Sequence, residues 1–166
     1  MTEVRSIKST YGTDGNTLVG IIPYDAPTTI DEGGRRFTEV VRPGAFRSSM
    51  TADVISCFNH DVNRLLGRTS SGTLSLIETP AGLKWSVQLP EHAADIKEMV
   101  SRGDLQGCSF TFSVNRGGDT WTGDNRELRD LRLIEVGPVV MPAYAQSTVA
   151  LRSLMHYRRK LKTYEI

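Results

Sequence analysis

The sequence predicts a mostly β protein with helices (α+β), in the form of a small closed or nearly closed antiparallel β-barrel of about seven strands. Three observations support this fold. The first half alternates short apolar runs with turn-forming residues, and residues 83–89 alternate apolar with polar side chains, as in a strand with one buried face. One mid-chain segment, residues 90–103, has helical spacing, and a C-terminal helix is predicted as well.

Strands are predicted where apolar or β-branched residues run between Pro, Gly and Asp. The predicted segments are 18–24, 37–41, 54–58, 65–68, 73–78, 83–89, 107–114 and 128–136. Residues 25–36 are predicted to be a loop, and residues 116–127 an exposed hairpin or a flexible loop. Residues 44–50 are expected to form one or two helical turns, and residues 137–142 to break the last strand.

The mid-chain helix has recognisable ends. Pro90 opens it, Asp95 lies early, where the helix dipole favours an acid, and Gly103 is a suitable stop. A second helix is predicted over residues 143–161. We therefore divide the chain into a folded domain, residues 1–150, and a basic helical tail, residues 151–166.

Composition excludes several classes of protein. Hydrophobic residues make up 39% of the chain, too many for a disordered protein, and the net charge of +1 gives no bias toward nucleic acid or membranes. Cys57 and Cys108 lie in apolar surroundings, which predicts buried, reduced thiols. There is no signal-like start and no apolar run of about 20 residues. We expect a soluble intracellular protein with no nucleic-acid or membrane partner.

Three histidines limit the search for a general base. His60 follows an apolar strand that could hold it rigidly, although its ring could equally cap the strand end through a backbone hydrogen bond. His92, in the first turn of a helix, and His156, in the basic tail, are expected to be exposed. A serine nucleophile needs such an adjacent base.

Ser109 is the candidate nucleophile, although a strand serine is usually only a polar surface residue. Phe110 and Phe112 should face the core, which leaves Ser109, Thr111 and Ser113 on the opposite face. Neither Gly-x-Ser-x-Gly nor Ser-x-x-Lys surrounds it, which removes support for the α/β-hydrolase and penicillin-binding classes. No His-Glu-x-x-His, Cys/His cluster or phosphate-binding loop is present, so no metal and no cofactor are predicted.

Five short motifs occur in a specific order over about residues 15–150. They are Pro-Gly-Ala-Phe at 43–46, Phe-Asn-His-Asp at 58–61 followed by Leu66-Gly67, Thr-Pro-Ala-Gly-Leu at 79–83, Arg-Gly-Asp-Leu-Gln-Gly-Cys-Ser-Phe at 102–110, and the block at 133–143. In this order they resemble the prohead maturation proteases of tailed phages, themselves similar to the herpesvirus assemblins. The resemblance implies an assemblin-like barrel and a protease domain over residues 1–150.

The resemblance also implies roles for three residues. Ser109 corresponds to the nucleophile, His60 to its general base, and Glu135 to the residue that orients His60. Asp61 and Asp130 are rival orienters, although Asp61, next to His60 in extended chain, should point to the opposite face.

Two parts of this site stay open. Gly137 stands where many relatives would have a serine after Glu-Val, which weakens the assignment of Glu135. The oxyanion hole has no assigned residue, and Arg132 is one candidate donor.

The implied activity is that of a serine endopeptidase inside the assembling procapsid, in the host cytoplasm. Its substrates would be the scaffolding protein, the scaffold segment of the major capsid protein, and the protease itself, and assemblins suggest a homodimer or higher homo-oligomer. Two alternatives remain: an inactive capsid- or scaffold-binding β domain, and a small-molecule serine esterase or amidase.

Overall fold

The computed structural model describes residues 1–8 and 11–140. In that part of the chain it contains thirteen strands, one α-helix and two short 3₁₀ helices. The strands are β1 (Thr2–Lys8), β2 (Gly12–Asp14), β3 (Thr17–Pro23), β4 (Thr28–Glu32), β5 (Arg35–Val41), β6 (Ile55–Phe58), β7 (Asp61–Arg68), β8 (Leu74–Thr79), β9 (Gly82–Gln88), β10 (Gly107–Val114), β11 (Asp119–Thr122), β12 (Asn125–Leu128) and β13 (Leu131–Val139). The helix α1 spans Ala94–Ser101, and the 3₁₀ helices span Arg47–Ser49 and Glu91–Ala93.

The strands form three open sheets. The five-stranded sheet has the order β1-β10-β13-β6-β7, and the two four-stranded sheets have the orders β11-β12-β5-β4 and β2-β3-β9-β8. The β13–β6 and β12–β5 pairs are parallel, and the other pairs are antiparallel. The mostly β prediction is confirmed, but the predicted closed antiparallel barrel is not found among the described residues. The edges of the five-stranded sheet, β1 and β7, lie at its opposite ends.

Besides the three-residue β2, two strands were missed by the pattern of apolar residues. The predicted loop at 25–36 contains β4, which pairs with β5 through a turn at Gly33 and Gly34, where φ is +62° and +80°. Positive φ at both central residues is the type I′ geometry that closes two-residue hairpins. The other missed strand is β1, in which the buried Arg5 disguises the alternation of inward and outward residues.

Other predicted elements are confirmed with shifted ends. The helix predicted at 90–103 is a 3₁₀ turn followed by α1, with Ile96 buried and Gly103 at φ +78° after its end. The predicted break at residues 137–142 is wrong at its start, since β13 continues through Gly137 to Val139. No helix within the described ranges is long and apolar enough to cross a bilayer. The predicted C-terminal helix and the tail at 151–166 lie outside the described residues.

An aromatic core fixes the face on which Ser109 lies. Phe110 stacks on Phe112 with 5.4 Å between ring centroids, and Phe46 meets Phe110 edge-on at 6.0 Å. All three rings are almost fully buried. Burying each such side chain contributes about 2–3 kcal/mol. This burial anchors the inward face of β10 and turns Ser109 and Thr111 to the other face, as the alternation predicts.

Candidate active site

A tight hairpin presents His60. Phe58 of β6 is paired with Asp61 of β7, which leaves Asn59 and His60 as a two-residue turn with φ values of +53° and +60°. This is the type I′ pattern, for which Asn is well suited at the first position. The Asn59 N–H donates to the Pro138 carbonyl at 3.0 Å, so the turn is tied to the end of β13.

Strand pairing brings Ser109 and Glu135 to the same face of the sheet. In the antiparallel β10–β13 pair, Ser109 lies opposite Gly137, and Thr111 lies opposite Glu135. Residues two apart in a strand share a face, and the register therefore places the serine and the carboxylate near each other. A β-bulge interrupts the pairing directly after this point in the chain, between Thr111 and Phe112.

The three side chains are hydrogen-bonded in series. The His60 Nε2 atom lies 2.6 Å from the Ser109 Oγ atom, and the His60 Nδ1 atom lies 3.0 Å from Glu135 Oε2. The His60 side chain is 22% exposed and that of Glu135 is 12% exposed, whereas Ser109 is 0% exposed. A carboxylate on Nδ1 keeps a proton there, so Nε2 can accept the proton of a serine hydroxyl.

Thr111 supports the carboxylate, and this contact was not predicted. Its hydroxyl donates to Glu135 Oε2 at 3.3 Å, while Glu135 Oε1 is buried without a partner in the described chain. The signal available in the sequence was only that Thr111 shares the face of Ser109. Thr111 thus holds the oxygen that also contacts His60.

The rival orienters are bonded elsewhere. Asp61 accepts hydrogen bonds from the backbone N–H of Asn63 at 2.9 Å and from its side-chain amide at 3.0 Å. Asp130 accepts a hydrogen bond from the Ser48 hydroxyl at 2.8 Å. The exposed Arg132 pairs with Ser113, four residues along β10 from Ser109. The carboxylate that bonds the His60 ring in the described structure is Glu135.

The glycine that departs from the expected motif has a steric reason. A Cβ atom at Gly137 would overlap the backbone carbonyl oxygen of Cys57 on β6. The neighbouring strands β13 and β6 run parallel, with Glu135 opposite Ile55. Gly137 therefore permits the close approach that brings the hairpin of His60 to Ser109 and Glu135.

The two thiols are poor nucleophiles, although Cys108 is adjacent to Ser109. Both cysteines are buried and unpaired with each other, as predicted. Burial raises the pKa of Cys108 to about 12, and burial together with the nearby Glu135 and Asp61 carboxylates raises the pKa of Cys57 to about 11. At neutral pH both thiols are protonated and unreactive.

The edge of β10 beside Ser109 is occupied by another strand. Strand β1 runs antiparallel to β10, with Ser6 opposite Ser109. The Ser6 hydroxyl donates to Ser109 Oγ at 2.9 Å, and the Arg5 carbonyl oxygen lies 2.9 Å from the same atom. With β13 on its other side and the His60 ring over its hydroxyl, Ser109 is completely buried.

His92 is not part of this hydrogen-bonded series. His92 is exposed in the 3₁₀ turn before α1, as predicted, and His156 lies outside the described residues.

A hydroxyl, an imidazole and a carboxylate bonded in series on a β-rich scaffold have the geometry of a serine-hydrolase triad. A family model described as caudovirus prohead serine protease matches residues 5–160, and the chain belongs to that family. The chain is also 31% identical over 120 residues to the "Prohead protease" of Enterobacteria phage HK97. The alignment covers 68% of this chain and 52% of that relative, so the chain spans about half the length of the relative. No solved structure matches the chain.

Proposed function

We propose that this chain is a serine endopeptidase in which Ser109 is the nucleophile, His60 the general base and Glu135 the orienting carboxylate. The observation that carries the proposal is the pair of hydrogen bonds on the His60 ring, 2.6 Å to Ser109 and 3.0 Å to Glu135. The first distance lies within the range expected for a nucleophile and its base.

In the proposed reaction, His60 takes the hydroxyl proton as Ser109 Oγ attacks the carbonyl carbon of a peptide bond. Glu135 stabilises the resulting imidazolium, which then gives its proton to the leaving amine. The acyl group stays on Ser109 until His60 removes a proton from water and the resulting hydroxide attacks the acyl carbon. The bond to Ser109 Oγ then breaks, the acid leaves, and His60 returns the proton to the serine oxygen. No cofactor or metal is needed for this sequence.

We place this activity in the assembling procapsid, in the host cytoplasm. The proposed substrates are the scaffolding protein or the scaffold segment of the major capsid protein. Family membership supports the setting. The edge of β10 that β1 occupies supports an extended peptide as substrate, because it shows that a strand can bind there. Incubation of the purified chain with these proteins from the same phage should yield discrete fragments, and Ser109→Ala should yield none.

Self-cleavage and homo-oligomerisation are part of the same proposal. Mass spectrometry should find trimmed termini in the wild-type chain and intact termini in Ser109→Ala. Identical, untrimmed termini in both would remove self-processing from the proposal. Light scattering of Ser109→Ala, which has no cleavage to complicate it, should show a dimer or larger assembly, and a monomer would remove that part.

An inactive capsid- or scaffold-binding domain is the second candidate, and the burial of Ser109 is the observation that favours it. For this candidate we expect the chain to bind capsid or scaffolding protein without cleaving it, equally in the wild type and in Ser109→Ala.

A further inference from the structure

Strand β1 binds β10 in the way that a peptide substrate adds to a sheet edge. All seven residues of β1 pair with β10 in one unbroken antiparallel register, from Thr2 opposite Ser113 to Lys8 opposite Gly107. Such strand addition gives affinity through the backbone and specificity through alternate side chains. The Arg5–Ser6 peptide unit is the part of β1 that lies at the nucleophile.

Two residues of β1 contact the Ser109 hydroxyl and block it as a nucleophile. Its single hydroxyl proton has two acceptors within reach, the His60 Nε2 atom at 2.6 Å and the Arg5 carbonyl oxygen at 2.9 Å. A proton donated to Arg5 is not available to His60, and the Ser6 hydroxyl also fills a lone pair of the nucleophile. Strand β1 thus competes for the proton on which the proposed reaction depends.

The inward side chains of β1 are bound by charges from another sheet. Glu39 of β5 is only 4% exposed and accepts two bonds from the Arg5 guanidinium, at 2.7 Å from Nε and 3.1 Å from Nη2. Arg126 of β12 donates to both carboxylate oxygens of Glu3, at 2.6 and 2.9 Å. Two parallel bonds to a carboxylate make a specific site for a guanidinium.

Glu39 and Arg126, which bind the side chains of β1, are also hydrogen-bonded to each other. Arg126 Nη1 lies 3.0 Å from Glu39 Oε2, and Asp119 accepts a bond from Arg126 Nε at 2.9 Å. These contacts do not involve β1, so the pair of binding groups has partners of its own when the strand is absent. The outward side chain of Val4 is half exposed and takes no part in this recognition.

We propose that β1 occupies the substrate-binding edge of β10 as an intramolecular inhibitor, and that the site selects an extended peptide with a basic side chain where Arg5 lies and an acidic one where Glu3 lies. This inference rests on the proposed function, and it identifies Glu39 and Arg126 as specificity-determining residues. Cleavage of another polypeptide then requires β1 to leave the edge.

The first test weakens the strand by charge reversal. Arg5→Glu adds a carboxylate beside those of Glu3, Glu32 and Glu39. It should release β1, because an unpaired buried charge is strongly destabilising. A fluorophosphonate should then label Ser109 about 10-fold faster or more than in the wild type. Arg36→Glu, an exposed site on β5, makes the same charge change and should label at the wild-type rate. Equal rates in a folded Arg5→Glu chain and the wild type would overturn the proposal.

The second test strengthens the strand and does not depend on the folding of Arg5→Glu. Thr2 and Ser113 are opposite each other, so a Thr2→Cys/Ser113→Cys disulfide would fasten β1 to β10. Fluorophosphonate labelling of Ser109 in the oxidised chain should be slower by about 10-fold or more, and reduction should restore the wild-type rate. Equal labelling of the oxidised and reduced forms would show that β1 need not leave.

A binding measurement separates this inference from the proposed function. In Arg5→Glu/Ser109→Ala, the amides of β10 should exchange with deuterium faster than in Ser109→Ala. A synthetic peptide of residues 2–8 should restore their protection, whereas the same peptide with Arg5→Glu should not. If the fluorophosphonate labels Ser109 in none of the variants but this exchange pattern is observed, the proposed function is wrong and the binding of a strand at the edge of β10 is supported. If neither peptide, or both, protect β10, the selectivity for a basic side chain is wrong.

Discussion

The His60 imidazole lies between a hydroxyl and a carboxylate, so its two nitrogens have different partners. The three candidate site residues, His60, Ser109 and Glu135, could be predicted from ordered motifs, and the structure places them within hydrogen-bonding distance of one another. Thr111 and Ser6 could not be predicted in the same way, because a single hydroxyl on a strand looks like any polar surface residue. Their positions follow from strand register, which local sequence does not specify.

Glu135 provides a direct test of the orienting role. Glu135→Gln keeps the size of the side chain but removes the charge that stabilises the imidazolium, and it should lower the cleavage rate by about 10⁴-fold at neutral pH. The measurement is steady-state cleavage of a scaffold-derived peptide. Asp61→Asn is the matched control, and a loss there as large as in Glu135→Gln would assign the role to Asp61.

Gly137 is explained by packing between two backbones. Gly137→Ser should lower the free energy of unfolding by about 1–3 kcal/mol, because the new Cβ atom would overlap the Cys57 carbonyl and force β13 and β6 apart. Urea unfolding measures this change. Val140→Ser, at an exposed position, should stay within about 0.5 kcal/mol of the wild type, and a similar result for Gly137→Ser would contradict the steric account.

At the scale of elements, the hairpin between β6 and β7 determines where the base lies. The sequence predicted that a strand delivers His60 at its end, but not that Asn59 and His60 form the turn itself. Strand β4 was missed because Asp and Gly dominate its surroundings, and β1 because its inward side chains are charged. Elements with apolar alternation, such as β9, were predicted well.

Asn59 should be important for the geometry of this turn. Asn59→Ala removes both a residue that tolerates positive φ and the oxygen that accepts the Val140 N–H at 2.9 Å. We expect a loss of about 1–2 kcal/mol in unfolding free energy and a lower cleavage rate, because His60 is displaced. Urea unfolding and peptide cleavage measure the two effects. An unchanged rate in Asn59→Ala would show that the turn does not position the base.

At the scale of the whole molecule, three sheets meet through long-range contacts that local patterns do not contain. The parallel pairing of β13 with β6, and of β12 with β5, joins segments far apart in the chain. A barrel was predicted because many short strands usually close in antiparallel order. The buried ion pairs of Arg5, Glu39 and Arg126 connect the five-stranded sheet to a second sheet instead.

This connection should make stability depend on pH. Burial by itself raises the pKa of Glu3, but the hydrogen bond from Arg126 and the charges of Arg5 and Arg126 outweigh it and hold the pKa below 4.5. The stabilisation is therefore fully present above pH 4.5 and is lost as pH falls through the lower folded-state pKa. Urea unfolding should show Glu3→Gln to be less stable than the wild type at pH 7, with a difference that shrinks below pH 4.5. A difference that is constant with pH would contradict this account.

The most direct test of the central claim is the site of covalent labelling by a fluorophosphonate, mapped by mass spectrometry of the tryptic peptides. We expect a single adduct on Ser109 in the wild type after long incubation, and no adduct in a folded His60→Ala chain. An adduct on Ser109 that forms equally fast without His60, or an adduct on another serine, would contradict it.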